Sequence, residues 1–156
     1  PYTTLFRSRL ISTAKGYENV EWLLDYSLPN ENEAVATLTV CNYGDAPVRT
    51  SPGFHPYFPA VGTQFDFNGA PYDADYIAHT EFVASPSDTH VAFDGLKLDI
   101  RTQNLPVYAL WSDRNGQYTC AEPTAEGNAF LSPARGGQFV SGHGKKHYGM
   151  KIRLIA

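Results

Sequence analysis

Two short segments, far apart in the chain, carry residues suited to proton transfer. One is Gly53-Phe54-His55-Pro56-Tyr57-Phe58. The other is Cys120-Ala121-Glu122-Pro123, with Asn128-Ala129 shortly after it. An imidazole can act as general acid or base near neutral pH. A carboxylate at the end of an apolar strand can be half-buried, and burial lifts its pKa toward the range useful in a base. Each candidate stands beside a proline. Pro56 pushes His55 toward extended backbone, and with Gly53 and Pro59 nearby the loop is preset rather than floppy. Phe54, Tyr57 and Phe58 supply aromatic faces for a core or for a pocket wall. The competing readings are plain ones: a lone histidine in an aromatic loop is usually structural, and a strand-end glutamate is often merely exposed.

The elements that must position these residues read as strands. Val20, Trp22, Leu24, Tyr26 and Leu28 recur with a period of two, broken only by Leu23. After the polar, turn-like stretch Pro29 to Glu33, the residues Ala34, Ala36, Leu38 and Val40 alternate again, which predicts an antiparallel hairpin. Asn42 to Pro47 is a turn, and Ser85-Pro86-Ser87-Asp88 is loop-like. Gln64–Phe67 predicts a short strand and Tyr76–Val83 a weaker one. Leu96, Leu98 and Ile100 alternate, Val107–Trp111 is a compact apolar strand, and Tyr118–Glu122 is another, stopped by Pro123. Tyr148, Met150, Ile152 and Leu154 form the last alternating run. The period places Tyr118, Cys120 and Glu122 on one face. Only one short helix, around Ala125 to Leu131, is suggested. Many short strands separated by turns predict an all-β antiparallel sandwich or barrel.

Composition narrows the function. The chain has 156 residues, 42% of them hydrophobic and 18% charged, which suits one globular domain with a core. Eleven prolines and thirteen glycines fit many turns. The net charge is -4 and no Lys/Arg cluster offers a phosphate-backbone footprint, so nucleic acid is not an expected partner. No apolar run is long enough to span a bilayer as a helix and no signal-peptide pattern is seen, so no membrane partner is expected and the expected location is the cytoplasm. Cys41 and Cys120 form no zinc or redox spacing motif and are read as buried free thiols. His143 and His147 have helical metal-ligand spacing, but Gly142 and Gly144 argue for a solvated turn. Residues 1–8 lack an initiator Met and resemble a translated sequencing adapter. They are set aside as a non-native leader, leaving 9–156 as the domain.

The block Gly53 to Phe58 resembles the His-Pro-Tyr-Phe signature of the aldose 1-epimerase (galactose mutarotase) family, and Cys120 to Thr124 with Asn128-Ala129 resembles its second signature. The likeness runs from about Tyr17 to the chain end, in the order of the family's C-terminal portion. It implies an all-β antiparallel sandwich of the galactose mutarotase-like supersandwich type, truncated at its N-terminus. It also implies His55 as the acid that protonates a sugar ring oxygen, and Glu122 as the base that takes the anomeric hydroxyl proton. Tyr57, whose aromatic face can line a sugar pocket, is a candidate sugar contact. For the family's sugar-binding aspartate, Asp88 is the best candidate and Asp94 its competitor. The family's N-terminal arginine and second histidine have no counterpart here, and Ser141 to His147 stands where the family commonly has a Pro-Gly-Glu turn.

The expected activity is therefore interconversion of the α and β anomers of a hexose such as galactose or glucose, without metal or redox cofactor, on a monosaccharide partner. One alternative is a non-catalytic carbohydrate-binding module of the same fold. Another is a hexose-6-phosphate 1-epimerase, which needs cations around the phosphate; Arg49, Lys97 and Arg101 are available but not clustered. A sandwich cut through its sheets exposes edges and apolar faces, so the isolated chain is expected to be poorly soluble or inactive.

Overall fold

The structure, a computed structural model, describes residues 6–59, 64–73, 76–85, 87–93, 95–113, 118–131 and 137–155. The strands among them are β1 (Phe6–Ile11), β2 (Val20–Asn30), β3 (Glu33–Asn42), β4 (Val48–Thr50), β5 (Tyr57–Pro59), β6 (Gln64–Phe67), β7 (Ala70–Asp73), β8 (Glu81–Ala84), β9 (Asp88–Phe93), β10 (Leu96–Gln103), β11 (Val107–Trp111), β12 (Tyr118–Thr124), β13 (Gln138–Val140) and β14 (Lys145–Ile155). Helical structure among the described residues is limited to two 3₁₀ turns, Tyr76–His79 and Gly127–Leu131. No described helix is long and apolar enough to cross a membrane.

Eight strands form one antiparallel sheet in the order β1-β2-β3-β14-β10-β9-β6-β7. Four form a smaller sheet, β5-β12-β11-β8, and β13-β4 is a separate two-stranded ribbon. The predicted hairpin is β2-β3, with Val20 opposite Asn42 and Ser27 opposite Val35. Its register slips between Ser27 and Asn30, where Pro29 has no N–H to give the ladder. Residues 6–8, set aside on sequence, belong to β1 and pair with β2 from Phe6 opposite Tyr26 onward.

The core lies between the two larger sheets. Alternation along β9 and β10 turns Val91, Phe93, Leu98 and Ile100 inward from the large sheet. Phe58, Tyr108, Leu110 and Ala121 meet them from the small sheet. Aromatic pairs join the layers: Phe58 lies 5.4 Å from Phe93, and Tyr108 meets Phe67 edge-on at 5.1 Å. A second cluster of Val20, Val40, Leu105, Ala125, Val140 and Tyr148 supports the ribbon, where the Tyr148 and Thr50 hydroxyls are 2.6 Å apart. The inner face of the large sheet continues past the small one. There Phe6, Tyr26, Leu28, Ala36, Met150 and Ile152 line an apolar hollow of about 340 Å³. It explains why Tyr26 and Leu28, inward by period, are exposed.

Several local expectations change. Tyr76–Val83 is not one strand: a 3₁₀ turn fills its first half, and Thr80, at φ 63, separates the turn from β8. Pro123 does not stop β12, which runs on to Thr124. Proline is tolerated there because its neighbour on that edge, Phe54, donates to the Pro123 carbonyl at 3.0 Å and so uses the one ladder group that proline keeps. Asp88, read as loop, begins β9. The helix suggested around Ala125 to Leu131 is the 3₁₀ turn Gly127–Leu131.

Candidate functional site

The site lies on the face of the small sheet turned away from the core. Register decides this. Leu110 pairs with Ala121 and Tyr108 with Pro123, which sets those residues on the core side. Ala109 opposite Glu122 and Trp111 opposite Cys120 must then point the other way. Phe82 of β8 stands opposite Ala109, and Tyr57 of β5 opposite Cys120. The small side chain of Ala109 leaves a hollow between Phe82 and Glu122. The cleft has a volume of about 310 Å³, and His55, Phe82, Ala109, Trp111 and Glu122 are among its walls.

His55 reaches this face because the chain before it is tied to β12. Gly53 bridges to Thr124, Phe54 N–H donates to Pro123 O at 3.0 Å, and Ala125 N–H donates to Pro52 O at 2.8 Å. Gly53 is needed for that approach: a Cβ there would lie 3.0 Å from Thr124 Cγ2 and 3.1 Å from Pro123 O. The His55 ring is stacked on Tyr57 at 4.5 Å and meets Trp111 edge-on at 6.1 Å. Tyr57 in turn packs edge-on against Tyr118 at 5.0 Å. The wall of the cleft is therefore aromatic, the kind of surface that packs against the C–H face of a polar ring ligand.

His55 Nε2 lies 3.3 Å from Glu122 Oε1. The histidine side chain is 47% exposed and the glutamate 16%. Burial pushes the Glu122 carboxyl above its ordinary value, and the attraction of His55 only partly offsets it. The result is a carboxylate made more basic by its surroundings, beside an imidazole open to the cleft. Thr80 and Gly127 close the site at one end. Both have positive φ, 63° and 57°; for a β-branched threonine this is a strained backbone held by its surroundings. Gly127 is held by its N–H donating to Thr124 Oγ1 at 2.8 Å.

The structure thus brings together His55, Tyr57 and Glu122. It does not bring Asp88 to them. Asp88 sits on the large sheet, exposed, with its carboxylate 3.0 Å from the Arg101 guanidinium. It lines a separate depression beside Thr89, Asp99 and Arg153. The reason is topological: β9 pairs with β10 and β6 and never joins the small sheet. Asp94, the competing candidate, lies outside the described residues. The cations weighed for a phosphate are also elsewhere. Arg49 pairs with Glu126 at 2.9 Å and Arg101 with Asp88, and no described residue lining the cleft is Lys or Arg. His143 contacts Asp45 at 2.8 Å and His147 contacts Thr39 at 2.9 Å, so the two do not converge. Cys41 and Cys120 are buried and free. Phe82 and Thr80 were not singled out on sequence; only the pairing of β8 with β11 puts them at the site.

No family model matches the sequence, and no curated protein matches it either. Solved structures do. A galactose mutarotase-like protein from Lactobacillus casei superposes with a TM-score of 0.75 at 14% identity, over 99% of this chain and 70% of that one. A Synechocystis protein gives 0.74 at 18% identity, over 99% and 62%. The GalM/aldose epimerase homologue from C. elegans gives 0.62 at 12% identity, over 99% and 66%. The fold is galactose mutarotase-like. At these identities the likeness concerns architecture alone, and the chain spans 62% of the Synechocystis protein's length. The sandwich expected from strand periodicity is the mutarotase-like supersandwich arrangement.

Proposed function

We propose that the protein is an aldose 1-epimerase-like isomerase in which Glu122 is the base and His55 the acid. The observation that carries this reading is the 3.3 Å between His55 Nε2 and Glu122 Oε1 in an aromatic-walled cleft. Ring opening of an aldose removes a proton from the anomeric hydroxyl and delivers one to the ring oxygen. Those two oxygens are bonded to one carbon, so acid and base must stand close together. Inverting glycosidases, by contrast, hold their carboxyl groups roughly 6.5–9.5 Å apart to admit a water.

Glu122, raised in basicity by burial, takes the anomeric hydroxyl proton. The electron pair left on that oxygen forms the carbonyl as the bond from the anomeric carbon to the ring oxygen breaks. The ring oxygen receives the His55 proton. Rotation about the bond to the carbonyl carbon presents the other face, and the reverse transfers close the ring and restore both groups. Each transfer contributes roughly 10²–10⁴-fold. Tyr57, stacked on His55, limits the tilt of the acid. The sugar is read as unphosphorylated, because the described lining of the cleft holds no cation to meet a phosphate.

The test is polarimetry of freshly dissolved α-D-galactose and α-D-glucose, with the protein expressed together with any coding sequence that flanks it in frame. Acceleration of the approach to the anomeric equilibrium supports the isomerase. Monosaccharide binding by titration calorimetry with no acceleration would instead make it a carbohydrate-binding module.

A further inference from the structure

We propose that His55, Cys120 and Glu122 form a three-point site for a zinc ion. Their ligand atoms, an imidazole nitrogen, the Cys120 sulfur and a carboxylate oxygen, all lie within 4.8 Å of one another. No other such group occurs among the described residues. The separation of 3.3 Å between His55 Nε2 and Glu122 Oε1 is itself informative. Nitrogen and oxygen ligands at about 2.0–2.2 Å from a tetrahedral zinc stand roughly 3.3–3.5 Å from each other. That pair is already at zinc spacing, and the sulfur, within 4.8 Å of both atoms, would close to roughly 3.6 Å of each around a tetrahedral zinc.

The donor chemistry selects the metal. A thiolate is soft and an imidazole borderline, which suits zinc and excludes magnesium and calcium as preferred occupants. The supports are rigid. Cys120 and Glu122 are alternate residues of β12 and share its outward face, and His55 is anchored through the bonds from Phe54 and Ala125. Cys120 is fully buried, whereas His55 and Glu122 line the cleft, so the sulfur would bind from the buried side and leave the fourth position toward the cleft. Binding breaks the S–H bond, forms the metal–sulfur bond and releases the proton to water. Burial holds the free thiol in its protonated form, which makes the site weaker than a closed, Cys-rich structural zinc site. Zinc would occupy both the acid and the base. It would therefore inhibit turnover, a consequence that rests on the function proposed above, whereas the binding does not.

Cobalt(II), a coloured probe for such sites, tests the binding directly in the same full gene product. The expected result is saturation at one equivalent, with near-ultraviolet thiolate charge-transfer absorption that Zn²⁺ bleaches. Cys120→Ser should abolish that band and weaken zinc binding beyond the roughly 10–100-fold cost of losing an outer-shell partner. Cys41→Ser should leave it intact. Because a serine at a fully buried position can disturb folding, half-exposed His55→Gln is the second variant, checked by circular dichroism; it should also lose the saturating band. A folded wild-type protein without the band, or an unchanged band in folded His55→Gln, overturns the site. Zinc binding in a protein without mutarotase activity leaves the site standing and removes the function.

Discussion

Replacing Glu122 by glutamine separates a catalytic base from a structural ion pair. The substitution keeps the side-chain shape and removes the charge that burial disfavours. Activity should fall by roughly 10²–10⁴-fold, the usual contribution of one proton transfer, which is about 2.7–5.4 kcal/mol at 1.36 kcal/mol per tenfold. Stability should move the other way. Burial outweighs the attraction of His55 and holds the folded pKa of the Glu122 carboxyl above its ordinary, unfolded value. Between the unfolded and folded values the native chain holds a proton that the unfolded chain lacks. Raising the pH through that window therefore lowers stability, and the full penalty is present above it. Glu122→Gln removes the penalty, so the variant should be more stable than wild type at neutral pH, and the gap should close as pH falls below the unfolded value. The assays are polarimetry for turnover and urea denaturation across a pH series for stability. The acid limb of the wild-type rate profile should also lie above the ordinary carboxylate range and vanish in the variant. Activity within about twofold of wild type would refute the base assignment. A variant less stable at every pH would refute the balance of burial over ion pairing.

Other consequences are open to measurement. Leu110→Ala empties a fully buried position between the sheets and should cost about 2–5 kcal/mol, lowering the melting temperature by on the order of 10 °C. Gly127→Ala places a Cβ at positive φ, 2.9 Å from Val107 Cγ1, and should cost about 1–2 kcal/mol; because the methyl narrows the cleft, steady-state kinetics should show KM rising more than kcat falls. Asp88→Ala removes one half of an ion pair exposed on both sides, so stability should change by less than about 1 kcal/mol, with the polarimetric rate unaltered. A tenfold rate loss in that variant would mean that Asp88 reaches the sugar after all.

The sequence by itself determined the parts of this protein that are local. Alternation in β2, β3, β10 and β14 was legible because a strand with one buried face writes a period of two into its residues, whereas β11 was legible as a compact apolar run. The strand β9 carried the same signal in Thr89, Val91 and Phe93, masked by the turn-forming residues before it. The single face shared by Cys120 and Glu122 followed from the same period. The short strands β4, β5, β7 and β13 were not legible, because three or four residues hold too little pattern and exist as strands only through distant partners. Pro29 and Pro123 show the same limit: each lies in a strand, and only the neighbouring edges decide whether a missing N–H matters. His55 and Glu122 could be nominated from their types and neighbours. Their 3.3 Å separation, the aromatic wall and the burial that sharpens the base came from register between strands that sequence does not pair. The same register left Asp88 on the other sheet. Side-chain direction along a strand is a local property of the chain, whereas which strands lie side by side is set by burial of the whole core.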